Sequence, residues 1–217
     1  MFIAHYAVAL AAKKAAPRVS LGTLFLSVQL ADLLWPVFLL LGLEHVRIAP
    51  GNTVVTPLDF YDYPITHSLV GALAWSVLFG AVYFLIRRYP KGAWIVGAGV
   101  LSHWILDLLV HRPDLPLIPG GAARVGLGLW NSLPATLILE FGFFIAGVVL
   151  YSRATAPVDR TGRYALWALL VLLPGLYVGN LMGPPPSETA IAIVGIAAWL
   201  FVPWAYWIDR HRRAAVA

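Results

Sequence analysis

The 217-residue chain contains no cysteine. That absence excludes a disulfide framework, a thiolate metal site and a cysteine nucleophile. Charge is also scarce: Asp, Glu, Lys and Arg make up 12% of the residues, against ~25% in a soluble domain. Apolar residues reach 60% and mean hydropathy is +0.80. A water-soluble globule of this length cannot hide so much apolar surface. The same figures exclude disorder, a collagen-like fibre and a coiled coil. Internal repeats and low-complexity tracts are absent as well. The chain reads as an integral membrane protein.

A spanning helix needs ~20 mostly apolar residues. Six stretches qualify: Ser20–Leu43, Thr66–Ile86, Gly92–Val110, Trp130–Tyr151, Tyr164–Met182 and Thr189–Ile208. None alternates in the manner of a barrel strand. Met1–Ala12 is apolar but half a span long, and it lacks the basic flank and cleavage site of a signal peptide. The expected fold is all-α and polytopic, with about six transmembrane helices plus an N-terminal half-span helix. One membrane-embedded domain covers residues 1–217: residues 1–151 carry the polar positions, and residues 152–217 supply two supporting helices.

Basic residues divide unequally between the loops. Lys13, Lys14, Arg18, Arg87, Arg88, Lys91, Arg153, Arg160, Arg163, Arg210, Arg212 and Arg213 fall on one side, and only Arg47, Arg112 and Arg124 on the other. The positive-inside rule then predicts cytoplasmic termini in a bacterial-type inner membrane. The net charge of +5 reflects this topology, and no nucleic-acid partner is expected. The loops on the other side, Glu44–Ile65 and His111–Leu129, are rich in Pro and Gly, which suits ordered turns capping a site that opens outward.

An ionisable residue inside a membrane costs at least ~2.5–3.5 kcal/mol on insertion scales and is a functional hypothesis by default. Asp32 lies in span one, His67 at the outer end of span two, His103 and Asp107 in span three with His111 at its exit, and Glu140 in span four. In His103-Trp-Ile-Leu-Asp107, residues four apart share one helix face, so imidazole and carboxylate can meet one ion. His5 stands eight residues before Lys13, and a helix entering from the basic side carries it ~12 Å inward. Thr66 and Ser68 flank His67 as hydroxyl partners, and Gln29 is placed to hydrogen-bond Asp32. Asp59, Asp62, His45 and His211 read as loop or interface residues. Pro36, Pro174 and Pro203 are expected to kink their spans.

The N-terminal His, the Asp of the next helix, Thr66-His67-Ser68 and Ser102-His103-x-x-x-Asp107 together resemble the bacterial inner-membrane metal-dependent hydrolases. That family is distantly similar to the zinc-dependent phospholipase C and single-strand nuclease superfamily. The resemblance covers residues 1–151. It implies a metal set drawn from His5, Asp32, His67, His103, Asp107, His111 and Glu140, holding one or two divalent ions, zinc foremost. Thr136 stands where the superfamily would place a His four residues before Glu140, which argues against a third ion. Glu140 or Asp32 would then be the catalytic acid/base. The expected activity is hydrolysis of a membrane lipid or lipid-linked phosphoester by metal-activated water. An ion- or proton-coupled transporter, and a membrane protein with a structural metal, are the alternatives.

Overall fold

The computed structural model describes residues 1–215. The chain is an all-α bundle with a few two-stranded ribbons on its ends. Helix α1 (Ile3–Ala15) is the predicted half-span. The first full span is divided into α2 (Leu21–Val28) and α3 (Leu30–Leu40). A hairpin of β1 (His45–Ile48) and β2 (Leu58–Asp62) leads into the one-turn α4 (Pro64–His67), followed by α5 (Leu69–Arg87) and α6 (Pro90–Val110). A short ribbon, β3 (Leu115–Pro116) with β4 (Arg124–Val125), precedes α7 (Leu133–Ala154). Strand β5 (Thr155–Pro157), helices α8 (Arg160–Asn180), α9 (Glu188–Ala197) and α10 (Phe201–Arg210), and strand β6 (Arg212–Ala214) complete the chain. Among the described residues, α5, α6, α7, α8 and the continuous stretch Glu188–Arg210 that joins α9 to α10 are long and apolar enough to cross a membrane, which makes six if the bent α2–α3 pair counts as one.

Local sequence sets the helix starts. Ser20, Ser68, Ser132, Asp159 and Ser187 each accept a bond from a backbone amide in the first turn of the helix that follows, satisfying an otherwise orphaned donor. Pro90 opens α6 at a position where no N–H is needed.

The proline kinks are only partly as expected. The sharp bend of span one, 57°, falls at Gln29 and not at Pro36, which lies within the continuous α3. Gln29 leaves helical geometry at φ −106°, ψ 5°. The Pro36 ring instead packs against Gly195, where a Cβ would come within 2.7 Å of its Cγ. Pro174 likewise sits inside an unbroken α8. Pro203 does have a local effect: residues Ala198–Leu200, including the carbonyl four residues before it, form a 3₁₀ turn.

Helix α1 is the centre of the packing, with Ile3, Tyr6, Ala7, Ala9 and Leu10 at most 1% exposed. A segment too short to cross a bilayer is tolerated at membrane depth only when buried in protein, and here α2, α6, α7 and α8 surround it. Close approach to α7 depends on Gly147, because a Cβ there would lie 2.5 Å from the Ala7 carbonyl oxygen. At the far end Lys13 Nζ donates to Val19 O (2.8 Å) and pairs with Asp209 (2.7 Å). The Arg18–Tyr89 and Arg212–Gly162 contacts gather the basic segments at that same end. There His211 Nδ1 lies 2.6 Å from Asp159, and the Gly162 amide, with this bond second, holds the Asp159 carboxyl below its usual range.

Candidate metal centre

Four elements deliver five of the predicted residues to one place: His5 from α1, Asp32 from α3, His67 at the end of α4, and His103 with Asp107 from α6. They form two overlapping groups, His5–His103–Asp107 and Asp32–His67–His103, each with possible ligand atoms within 4.8 Å of one another. His5 stacks face to face on His103, with centroids 3.8 Å apart, so the docking of α1 places it here.

The hydrogen bonds around the rings fix their orientation. His103 Nδ1 lies 2.8 Å from the Val28 carbonyl oxygen. A carbonyl only accepts, so Nδ1 carries the proton and Nε2 of the neutral ring presents a lone pair. Val28 is the last residue of α2, and the bend after it turns this carbonyl toward α6. His67 is held by a relay. Glu44, fully buried, accepts from the Ile65 amide (2.7 Å), the Thr66 amide (2.8 Å) and the Thr66 hydroxyl (2.7 Å). Since the hydroxyl donates to Glu44, its oxygen accepts from His67 Nδ1 at 2.7 Å. His67 Nε2 is thereby bare as well.

Both bare nitrogens point at carboxylates. His67 Nε2 lies 3.4 Å from Asp32 Oδ1 and 3.9 Å from Asp107 Oδ2; His103 Nε2 lies 3.5 and 3.2 Å from the same two atoms. His103 Nε2 makes no hydrogen bond among the described residues. Lone pairs brought this close in a low-dielectric interior repel unless positive charge stands between them. Tetrahedral zinc, with bonds of about 2.0–2.2 Å, spaces its ligand atoms about 3.3–3.6 Å apart, within the range of these separations. Asp107 Oδ1 also meets His5 Nε2 at 3.2 Å and accepts from the Met1 amine.

The Asp32 side chain remains 35% exposed, unlike the other four. Beside it a crevice lined by Ala31, Ala72, Trp75, Val100 and Trp104 reaches His67 and His103. Its small free volume, about 10 Å³, approaches that of one water.

The two remaining expected residues lie outside the cluster. Both Glu140 oxygens are taken by α1, accepting from the Phe2 amide (2.8 Å) and the Ala4 amide (2.9 Å). The carboxylate thus meets the first-turn donors and positive dipole end of that helix. His111 Nδ1 binds Asp114 Oδ1 at 2.8 Å, and its ring packs on Trp130 at 4.2 Å. Tyr63 donates to the same Asp114 oxygen at 3.3 Å; burial first, and Asp114 next, push its phenol well above its usual pKa. Asp59 binds Arg47 and Arg112, which raises the Arg47 guanidinium further. Asp62 pairs with His45 on the exposed hairpin, away from the cluster. Gln29, expected beside Asp32, has a buried Oε1 without a partner among the described residues.

Glu44 and Asp114 escaped sequence reasoning. A Glu–Thr–His relay has no short spacing, because Glu44 is 22 residues from Thr66. Asp114, three residues after His111, was within reach of a search for His–Asp pairs beyond the span. No family model matches this chain, nor does any curated protein or solved structure. The fold and site therefore define a class only: a polytopic helical membrane protein with a buried His/Asp cluster.

Proposed function

We propose that the chain is a membrane-embedded metal-dependent hydrolase acting on a lipid or lipid-linked phosphoester, of the kind its motifs resemble. One observation carries this reading. His67 and His103, each with its Nδ1 proton committed elsewhere, turn bare Nε2 atoms toward two carboxylates. His103 has one lone pair to give, which favours one ion over two. His67, His103 and Asp107 would hold the ion, the imidazole and carboxylate donors that zinc takes. In such a site zinc lowers the pKa of bound water towards ~7 and polarises a phosphoryl oxygen.

The protein's own groups then divide the work. Asp32, near both rings and open on one side, accepts the proton of the attacking water. Glu140 is less suited to that role, being bound to α1. Glu44 and Thr66 hold His67, and His5 braces Asp107. The flanking crevice favours a substrate that arrives through lipid. The loop-charge asymmetry favours cytoplasmic termini in an inner membrane, an orientation that would put the site in its outer half.

Metal analysis by mass spectrometry of detergent-purified protein tests the proposal. About one zinc per chain, with chelator-sensitive cleavage of phosphoester lipids, is the expected result. Metal-free protein indifferent to chelators overturns it and leaves a protonated His–Asp relay, a transport element, as the second reading. Glu44→Gln weakens the relay to His67 and should lower zinc affinity about 10–100-fold, the usual effect of losing such a partner. Competition with a fluorescent zinc chelator measures it; unchanged affinity removes Glu44 from the centre.

A further inference from the structure

A second hollow lies against the first turn of α1. It is formed by the first turn of α1, the outer parts of α7 and α8, the loop before β2, and the turn that precedes α7. About 100 Å³ is open to the centre of a water-sized sphere, ten times the volume of the crevice and room for several waters. Its walls include Phe2, Thr56, Trp130, Glu140, Tyr177 and Asn180. The Val55 amide donates to Trp130 O at 3.0 Å, which fastens the loop over the hollow.

The lining is amphipathic in a particular way. Phe2 and Tyr177 lie nearly parallel, with centroids 6.3 Å apart, and supply an apolar wall together with Trp130. Of the polar groups, the Glu140 carboxylate only accepts, while the Tyr177 and Thr56 hydroxyls and the Asn180 amide both donate and accept. Tyr177 is 5% exposed, yet its hydroxyl has no partner among the described residues. A buried hydroxyl left unpaired costs ~1–3 kcal/mol, and a ligand group that bonds it recovers that loss.

We propose that this hollow binds the polar headgroup of a membrane lipid, specifically a small headgroup bearing hydrogen-bond donors, of the size of glycerol or ethanolamine. The donors meet Glu140, Tyr177 and Asn180 while the aromatic wall packs the carbon skeleton. This assignment rests on the membrane-embedded reading of the chain. The first turn of α1 is the partition between hollow and metal centre, since Glu140 binds the Phe2 and Ala4 amides and His5 follows one residue later.

Binding, not turnover, tests it, so it can fail independently of the hydrolase proposal. Calorimetric titration of the full chain, as purified and after chelation, would use short-chain phosphatidylglycerol, phosphatidylethanolamine, phosphatidylcholine and phosphatidic acid. The glycerol and ethanolamine lipids should bind tightest, with and without chelator, and free glycerol or ethanolamine more weakly. Tyr177→Phe and Asn180→Leu should each weaken them about three- to ten-fold, the worth of one neutral hydrogen bond, with thermal stability preserved. Equal binding of all four lipids overturns the proposal, as does tightest binding of phosphatidylcholine, whose ammonium has no N–H. Indifference to both substitutions overturns it equally.

Discussion

Asp107→Ala is expected to empty the metal centre and abolish hydrolysis. The Asp107 oxygens lie 3.2 Å from His5, 3.2 Å from His103 and 3.9 Å from His67. Its loss removes a ligand and leaves three buried imidazoles with one fewer negative neighbour, so zinc content should fall from about one per chain to the background of a metal-free control. Asp32→Asn is the informative companion. It keeps the shape of the side chain and, on the proposed division of labour, retains the ion while lowering turnover about 10²–10⁴-fold, the usual range for a lost general base. Equal zinc loss in both variants would make Asp32 a ligand instead. Full zinc in Asp107→Ala would remove Asp107 from the centre.

Gly147→Leu is expected to be the most damaging substitution far from the ion. The added Cβ would meet backbone atoms of Ala7 at 2.5 and 2.7 Å, and backbone cannot rotate away. Overpacking of this kind costs ~1–3 kcal/mol. Parting the helices also strands the Glu140 carboxylate, which otherwise receives the Phe2 and Ala4 amides. The melting temperature in detergent should drop by several degrees, and zinc content should fall with it as His5 leaves His103. Gly142→Leu on the same helix is the control, because nothing lies within 4 Å of a Cβ there. Similar melting of the two variants would show that α1 does not depend on this contact.

These contacts also show what the amino-acid order could reveal. Long apolar runs are local properties, so the spans were legible to within a few residues, and so was α1, since a fixed rise per residue connects Lys13 to the depth of His5. The HxxxD pair was legible for the same reason: its geometry belongs to one helix. The bend at Gln29 was not, because nothing in the identity of Gln29 marks a break, whereas Pro36 carries the textual mark and is absorbed by packing against Gly195. The roles of Glu140 and Glu44 lay out of reach for a different reason. Each binds backbone amides, a carboxylate use with no sequence partner to pair with, across 138 and 21 residues respectively.

The placement of α1 also governs when the protein becomes complete during its own synthesis. The partner that receives its first turn lies 136 residues further along the chain. At the ~5–20 residues per second of translation, α1 is made roughly 7–27 s before that partner exists. During this interval it is an apolar helix too short to span the bilayer, and it must wait at the surface or in the insertion machinery. Its docking between α6 and α7 is therefore a late event in biogenesis, and a truncated product ending before α7 would carry His67, His103 and Asp107 without the Glu140 carboxylate that holds the first turn of α1.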